Sequence, residues 1–182
     1  MKRFICIVLG LLLLALPLDG QARSRTKGEI HLLLSGGSFY GVTDGYDVFF
    51  PIPASSIKHA GSSTRIGLDY VFSNGFGLRP QFGFERIFYT SIGIQEAAKS
   101  QFVLDFLLSK FLTNCPNNRW QPYVALGPSV AFSTSGKQGY LKITGGTLYL
   151  FNRHWGLHFD STLTTEFTGA RAELAIGINY KF

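Results

Sequence analysis

The chain has 182 residues and a formal net charge of +6, with only 15% charged side chains against the roughly 25% of ordinary soluble domains. With 17 Phe, 21 Gly and a mean hydropathy of +0.15, it is too apolar for a disordered chain, and two cysteines cannot staple a disulfide scaffold. Only one stretch is continuously apolar, and it sits at the N-terminus, which excludes a bundle of membrane helices.

That stretch comes first in chain order. Lys2 and Arg3 precede an uncharged run from Phe4 to Leu18, which Pro17, Asp19 and Gly20 bring to an end. Gly20-Gln21-Ala22 then places small residues where a signal peptidase needs them. The layout predicts a signal peptide over residues 1–22 and a mature domain over residues 23–182. The rival, an uncleaved anchor, needs ~20 apolar residues, more than the run supplies. Arg23, Arg25 and Lys27 just after the cut weigh against export, and Cys6, following Ile5, is badly placed for lipidation. Removing residues 1–22 leaves a net charge of +5 and a single thiol, Cys115. A mild excess without a dense basic cluster is not a nucleic-acid footprint. Contact with anionic outer-membrane lipid or lipopolysaccharide is one reading of it, and scattered, solvated surface charge is the favoured one.

Beyond residue 28 the dominant period is two, the mark of strands with two different faces. The first strand is expected over 29–39, less cleanly than most. Ile66, Leu68, Tyr70 and Phe72 then alternate with Arg65, Gly67, Asp69 and Val71. Phe76, Leu78, Phe82 and Phe84 alternate with Gly77, Arg79, Gln81, Gly83 and Glu85. Phe102, Leu104, Phe106 and Leu108 follow, then Pro122, Val124, Leu126, Val130 and Phe132. A sixth strand is expected over 141–151, with Gly145-Gly146 read as a bulge. Trp155, Leu157, Phe159 and Leu163 alternate with Gly156, His158, Asp160 and Thr162. In the last strand Ala172, Leu174, Ile176, Ile178, Tyr180 and Phe182 oppose Arg171, Glu173, Ala175, Gly177, Asn179 and Lys181. Eight strands emerge and no long helix. The connections 73–75, 113–120 and 152–154 read as tight turns. Those at 41–63, 90–99, 133–140 and 166–170 read as longer loops. Tight turns at one end and loops at the other describe an up-and-down meander.

Two all-β architectures fit: a soluble lipocalin-like barrel with an apolar cavity, and a transmembrane barrel with a polar interior. A lipocalin needs a charged outer face, whereas the second face of these strands is mostly Gly, Ala, Ser and Thr. Such residues suit the narrow lumen of an eight-stranded barrel. The apolar face then meets lipid, where a Lys or Arg costs roughly 2–4 kcal/mol at the midplane and little at the interface. Only Arg86 and Lys110 break the apolar face, both near strand ends. Tyr40, Tyr70, Tyr89, Tyr149, Trp155, Tyr180 and Phe182 also fall near ends, as an aromatic girdle requires. The pattern predicts an eight-stranded antiparallel up-and-down transmembrane β-barrel.

The last strand, Leu174-x-Ile176-x-Ile178-x-Tyr180-x-Phe182, resembles the C-terminal signature of bacterial outer-membrane proteins. That resemblance implies that Tyr180 and Phe182 belong to a signal read by the barrel-assembly machinery. Pro122-Tyr123-Val124-Ala125-Leu126-Gly127 resembles a Pro-Tyr-x-Gly-x-Gly strand of small barrels of the OmpA/OmpX type, with Ala125 where the family often has Gly. The resemblance covers about residues 28–182 and implies an outer-membrane location. With no peptidoglycan-binding domain after Phe182, it implies only the barrel half of an OmpA-like protein.

The inward set holds Arg65, Asp69, Arg79, Gln81, Glu85, Asp105, His158, Asp160 and Glu173. Desolvated charges must pair, so these are expected to form a salt-bridge network that plugs the barrel. The alternatives are a gated polar path or a catalytic cluster. His158 and Asp160 share a face, but Ser161 points the other way, out of reach of a base. A lipid-A-modifying enzyme is therefore the lesser reading within this fold. His31, His59, His154 and His158 are scattered, which does not favour a metal, and no cofactor motif appears. Loop 41–63 carries Tyr46, Phe49 and Phe50 beside Asp44 and Asp47. It is either a recognition surface for an extracellular partner or a cap over the barrel mouth; two carboxylates alone argue weakly for calcium.

Overall fold

The computed structural model describes residues 28–43, 57–73, 75–91, 94–95, 98–112, 119–165 and 169–182. The expected signal peptide, Asp44, Tyr46, Asp47, Phe49, Phe50 and Cys115 lie outside the described residues, as does the side chain of Tyr89.

Eight long strands form the molecule: β1 Glu29–Thr43, β2 Ile57–Ser73, β3 Phe76–Ser91, β5 Lys99–Phe111, β6 Trp120–Ser133, β7 Gly136–Leu150, β8 Trp155–Thr165 and β9 Gly169–Lys181. A two-residue strand, β4 Ile94–Gln95, folds back on Thr90 and Ser91 at the tip of β3. Each long strand pairs antiparallel with its sequence neighbours, and β1 pairs with β9 to close the ring. Closure removes the open edges that a flat sheet would expose.

Alternation becomes wall and lumen. Arg65, Gly67 and Asp69 point inward on β2 while Ile66, Leu68 and Tyr70 point outward. The exposed face carries Leu34, Phe82, Phe84, Phe102, Phe106, Leu126, Phe159, Ile176 and Ile178. The buried face is mostly polar, which is the reverse of a lipocalin. The Trp120 ring lies tilted 4.7 Å from Tyr149 and Trp155 meets Tyr180 edge-on at 4.8 Å, forming an aromatic belt at the turn end. A small apolar floor of Leu33, Val71, Phe111, Tyr123 and Leu148 closes the lumen at that end.

Two expectations change. The segment 41–63 is not one long loop: β1 continues to Thr43 and β2 begins at Ile57, paired throughout, so only 44–56 connects them. Likewise β6 runs to Ser133 and β7 starts at Gly136, leaving a two-residue turn where a loop over 133–140 was expected; Gly136 has φ +126. Beyond the apolar belt both strand faces meet polar surroundings, so hydrophobic alternation stops while backbone pairing goes on. The second change concerns Gly145-Gly146, which is no bulge: the pair sits in continuous register opposite Val124 and Tyr123. Gly146 is small because a Cβ there would stand 2.6 Å from Asp160 Oδ1 and 2.7 Å from the Tyr123 ring. The register shift falls instead between Val71 and Ser73.

Candidate functional site: the charged lumen

The inward positions of eight strands converge on one axis, and their charges sort into layers. In the layer nearer the loops, Arg65 from β2 reaches across to β9 and β3. Its Nη2 donates to Glu173 Oε2 at 2.8 Å and to Glu85 Oε1 at 2.8 Å, and its Nη1 also donates to Glu173. Ser63 donates its hydroxyl to the same Glu173 carboxylate. Glu85 receives a two-point clasp from Arg171, at 2.8 and 3.0 Å, and a bond from Gln101 at 2.8 Å. Lys142 on β7 binds both oxygens of Asp105 on β5, at 2.8 and 2.9 Å, and Arg65 Nε stands 3.6 Å from Asp105. The cations Arg65, Lys142 and Arg171 thus balance Glu85, Asp105 and Glu173. The Arg171 guanidinium also lies 4.5 Å over the ring of Phe39.

The next layer down is built on Arg79, whose Nε and Nη2 donate to Asp69 Oδ2 at 2.9 and 2.6 Å. Ser109 donates to the other Asp69 oxygen at 2.8 Å. The Arg79 guanidinium sits 3.9 Å over the Tyr123 ring, and the Tyr123 hydroxyl donates to Asp160. His158 is buried on the same face, two residues from Asp160, in space left by Gly177. At the turn end, His31 Nδ1 is 3.2 Å from Asn179 Oδ1, and Lys181 Nζ is 3.1 Å from Glu29.

Every charged residue of the predicted inward set therefore faces the lumen. Arg65, Glu85, Asp105 and Glu173 form one connected layer; Asp69, Arg79 and Asp160 join in another through Tyr123. Gln81 lines the small cavity between the layers. Ser161 faces outward opposite Gly145 and Leu174, away from His158, so the face assignment that separates the two holds. Lys142, Arg171 and Tyr123 were missed as partners. Arg171 shares the face of Glu173, so a parity count alone finds it. Lys142 was hidden because a supposed bulge at Gly145-Gly146 blurred the register of its strand. No cluster of three His, Cys, Asp or Glu side chains with metal-binding geometry occurs among the described residues.

Paired charges leave little room. The cavity enclosed by Ser35, Arg65, Gln81, Asp105, Lys142, Thr144 and Asp160 measures about 10 Å³. That is space for about one water molecule.

No family model and no curated protein matches the chain. Solved structures do. The outer membrane protein OprG from Pseudomonas aeruginosa is similar with a TM-score of 0.65 at 13% identity, over 89% of this chain and 99% of that one. Neisserial surface protein A is similar with a TM-score of 0.57 at 13% identity, over 86% of this chain and 100% of that one. The attachment invasion locus protein Ail of Yersinia pestis is similar with a TM-score of 0.54 at 14% identity, again over 86% and 100%. At these identities the likeness speaks for the fold. The chain has the closed, eight-stranded antiparallel barrel fold of the small bacterial outer-membrane proteins.

Proposed function

We propose that this chain is exported by a cleaved signal peptide, residues 1–22, and resides in the outer membrane as a plugged barrel. Its role is structural, or one of surface interaction at the loop end, rather than passage of solutes. The observation that carries this reading is the lumen: six charges in one layer neutralise each other, and the enclosed space is about 10 Å³. An ion would have to break several desolvated pairs to cross, and breaking even one is strongly unfavourable. The outward Ser161 gives the inward His158 no nucleophile, which disfavours the lipid-modifying alternative. Tyr180 and Phe182 serve the assembly machinery during insertion. Segment 44–56, with Tyr46, Phe49 and Phe50, is the part proposed to meet an extracellular partner; Ail, by its name, is an attachment protein of this fold. The test is a planar bilayer containing the purified barrel. No stable stepwise conductance is expected, and a reproducible ohmic channel would overturn the plugged reading.

A further inference from the structure

The outer wall is uneven. Large apolar side chains cover β3 and β5, where Phe82 and Phe84 pack 5.7 and 5.4 Å from Phe102. On the opposite wall, across β1, β9, β8 and β7, the outward residues shrink at one level between larger apolar neighbours. Gly36, Ser38, Ser161 and Gly145 form the floor of an open groove of about 660 Å³, with Phe159 and Ile176 at its rim. Leu174 stands alone within it, 71% exposed.

The groove joins a polar row. Arg86 pairs with Ser62, Ser62 with Ser38, Ser38 with Leu174, and Leu174 with Ser161. All five point outward. Directly paired residues have Cβ atoms about 5 Å apart, so Arg86, Ser62 and Ser38 make a continuous stripe leading into the groove. The height of that stripe follows from the outward cations. Lys110 pairs with Phe76 at the turn end, and Arg86 is ten residues further along β3. At about 2.5 Å of axial rise per residue in a tilted strand, that is about 25 Å, the height of an apolar belt. Arg86 therefore stands at the outer boundary, and the row descends from it into the outer leaflet. Its guanidinium lies 5.4 Å over the Phe88 ring and has no carboxylate partner among the described residues.

We propose that this stripe and groove bind one outer-leaflet lipid: lipid A of lipopolysaccharide, its phosphate on Arg86 and its hydroxylated acyl chains along Ser62, Ser38 and Ser161. The assignment rests on the outer-membrane reading above. Charge complementarity places an anionic headgroup at Arg86, because a guanidinium at a boundary without a carboxylate partner among the described residues is best met by phosphate. Hydroxyls facing hydrocarbon need partners, and the hydroxyl and amide groups near the head of lipid A supply them, whereas plain acyl chains do not. A two-fold contact with its axis through the groove would set groove against groove and leave a void. An acyl chain is convex and fills it.

The experiment uses the folded full-length barrel, with retained lipid measured by native mass spectrometry. The competing probes are bis-phosphorylated lipid A carrying 3-hydroxyacyl chains and phosphatidylglycerol. Wild-type protein is expected to retain lipid A in preference. Arg86→Gln should cut that retention about tenfold, as loss of a charge-assisted hydrogen bond does. A Ser38→Leu/Ser161→Leu variant, which fills the groove with side chains that the lipid face tolerates, should do the same and leave phosphatidylglycerol retention unchanged. Lipid A retention unchanged in either variant overturns the proposal. So does a wild-type preference for phosphatidylglycerol, or a dimer that the double variant dissolves. The slower migration of boiled protein on a denaturing gel reports the barrel separately, so failed lipid binding with an intact shift rejects this site alone.

Discussion

Glu85 accepts hydrogen bonds from Arg65, Arg171 and Gln101 at once, buried deep in the lumen. A glutamine there would turn an amide donor toward one guanidinium and leave the charge of both partly uncompensated. Glu85→Gln should lower unfolding stability in urea by about 3–5 kcal/mol, the range for removing one partner of a buried pair. Replacing both members of a pair differs in sign. Asp105→Leu with Lys142→Met removes two desolvated charges together and should cost far less than Asp105→Leu alone. Equal losses for the single and double variants would show that the pair is not coupled. At this scale parity was informative: a charge at an alternate position on an otherwise apolar strand has to face inward. What parity could not supply was partnership. Arg65 meets Glu173 across the seam between β1 and β9, more than a hundred positions apart in sequence, because closure brings β9 beside β1.

Strands were legible where they cross lipid and illegible where they leave it. Phe76 to Phe84 announce β3 through their alternation, but Arg86 to Ser91 continue the same strand without that signal. The same holds for Gly41–Thr43 and for 57–63, both paired strand read as loop. Backbone hydrogen bonds do not depend on side-chain polarity, so the ladder extends past the point where hydropathy stops reporting it. The turn at 152–154 was legible for a local reason: Asn152 Oδ1 accepts from the backbone of His154 and Trp155, each at 2.8 Å. The end of β9 carries its own prediction. Phe182 packs 5.0 Å from Tyr180, and its backbone N–H donates to Ile30 at 3.0 Å. Phe182→Ala should leave the closed register intact in refolded protein yet lower the amount of folded barrel recovered from cell envelopes. Undiminished recovery would remove the assembly role from this residue.

For the whole molecule, the decisive feature is inversion: apolar outside, polar inside, closed on itself. A sheet closed by hydrogen bonds has no edge to unzip and resists detergent until heated. Unboiled protein should therefore migrate faster than boiled protein on a denaturing gel, and the protein should fractionate with outer membranes. A single band and a soluble fraction would contradict both the topology and the membrane reading.

The low charge and abundant Phe and Gly of the opening composition now have places. Among the described residues Phe lies mostly on the lipid face, with Phe39 and Phe111 turned inward, and Gly mostly in the lumen and turns. The sequence by itself determined the strand period, the inward and outward faces and the polar character of the lumen, because each depends only on neighbours along one strand. Only the tertiary structure decided which charge pairs with which, how far the strands extend, and that Arg86, Ser62 and Ser38 line up beside a groove. Those depend on the register between strands, and register is a property of the closed barrel rather than of any one segment.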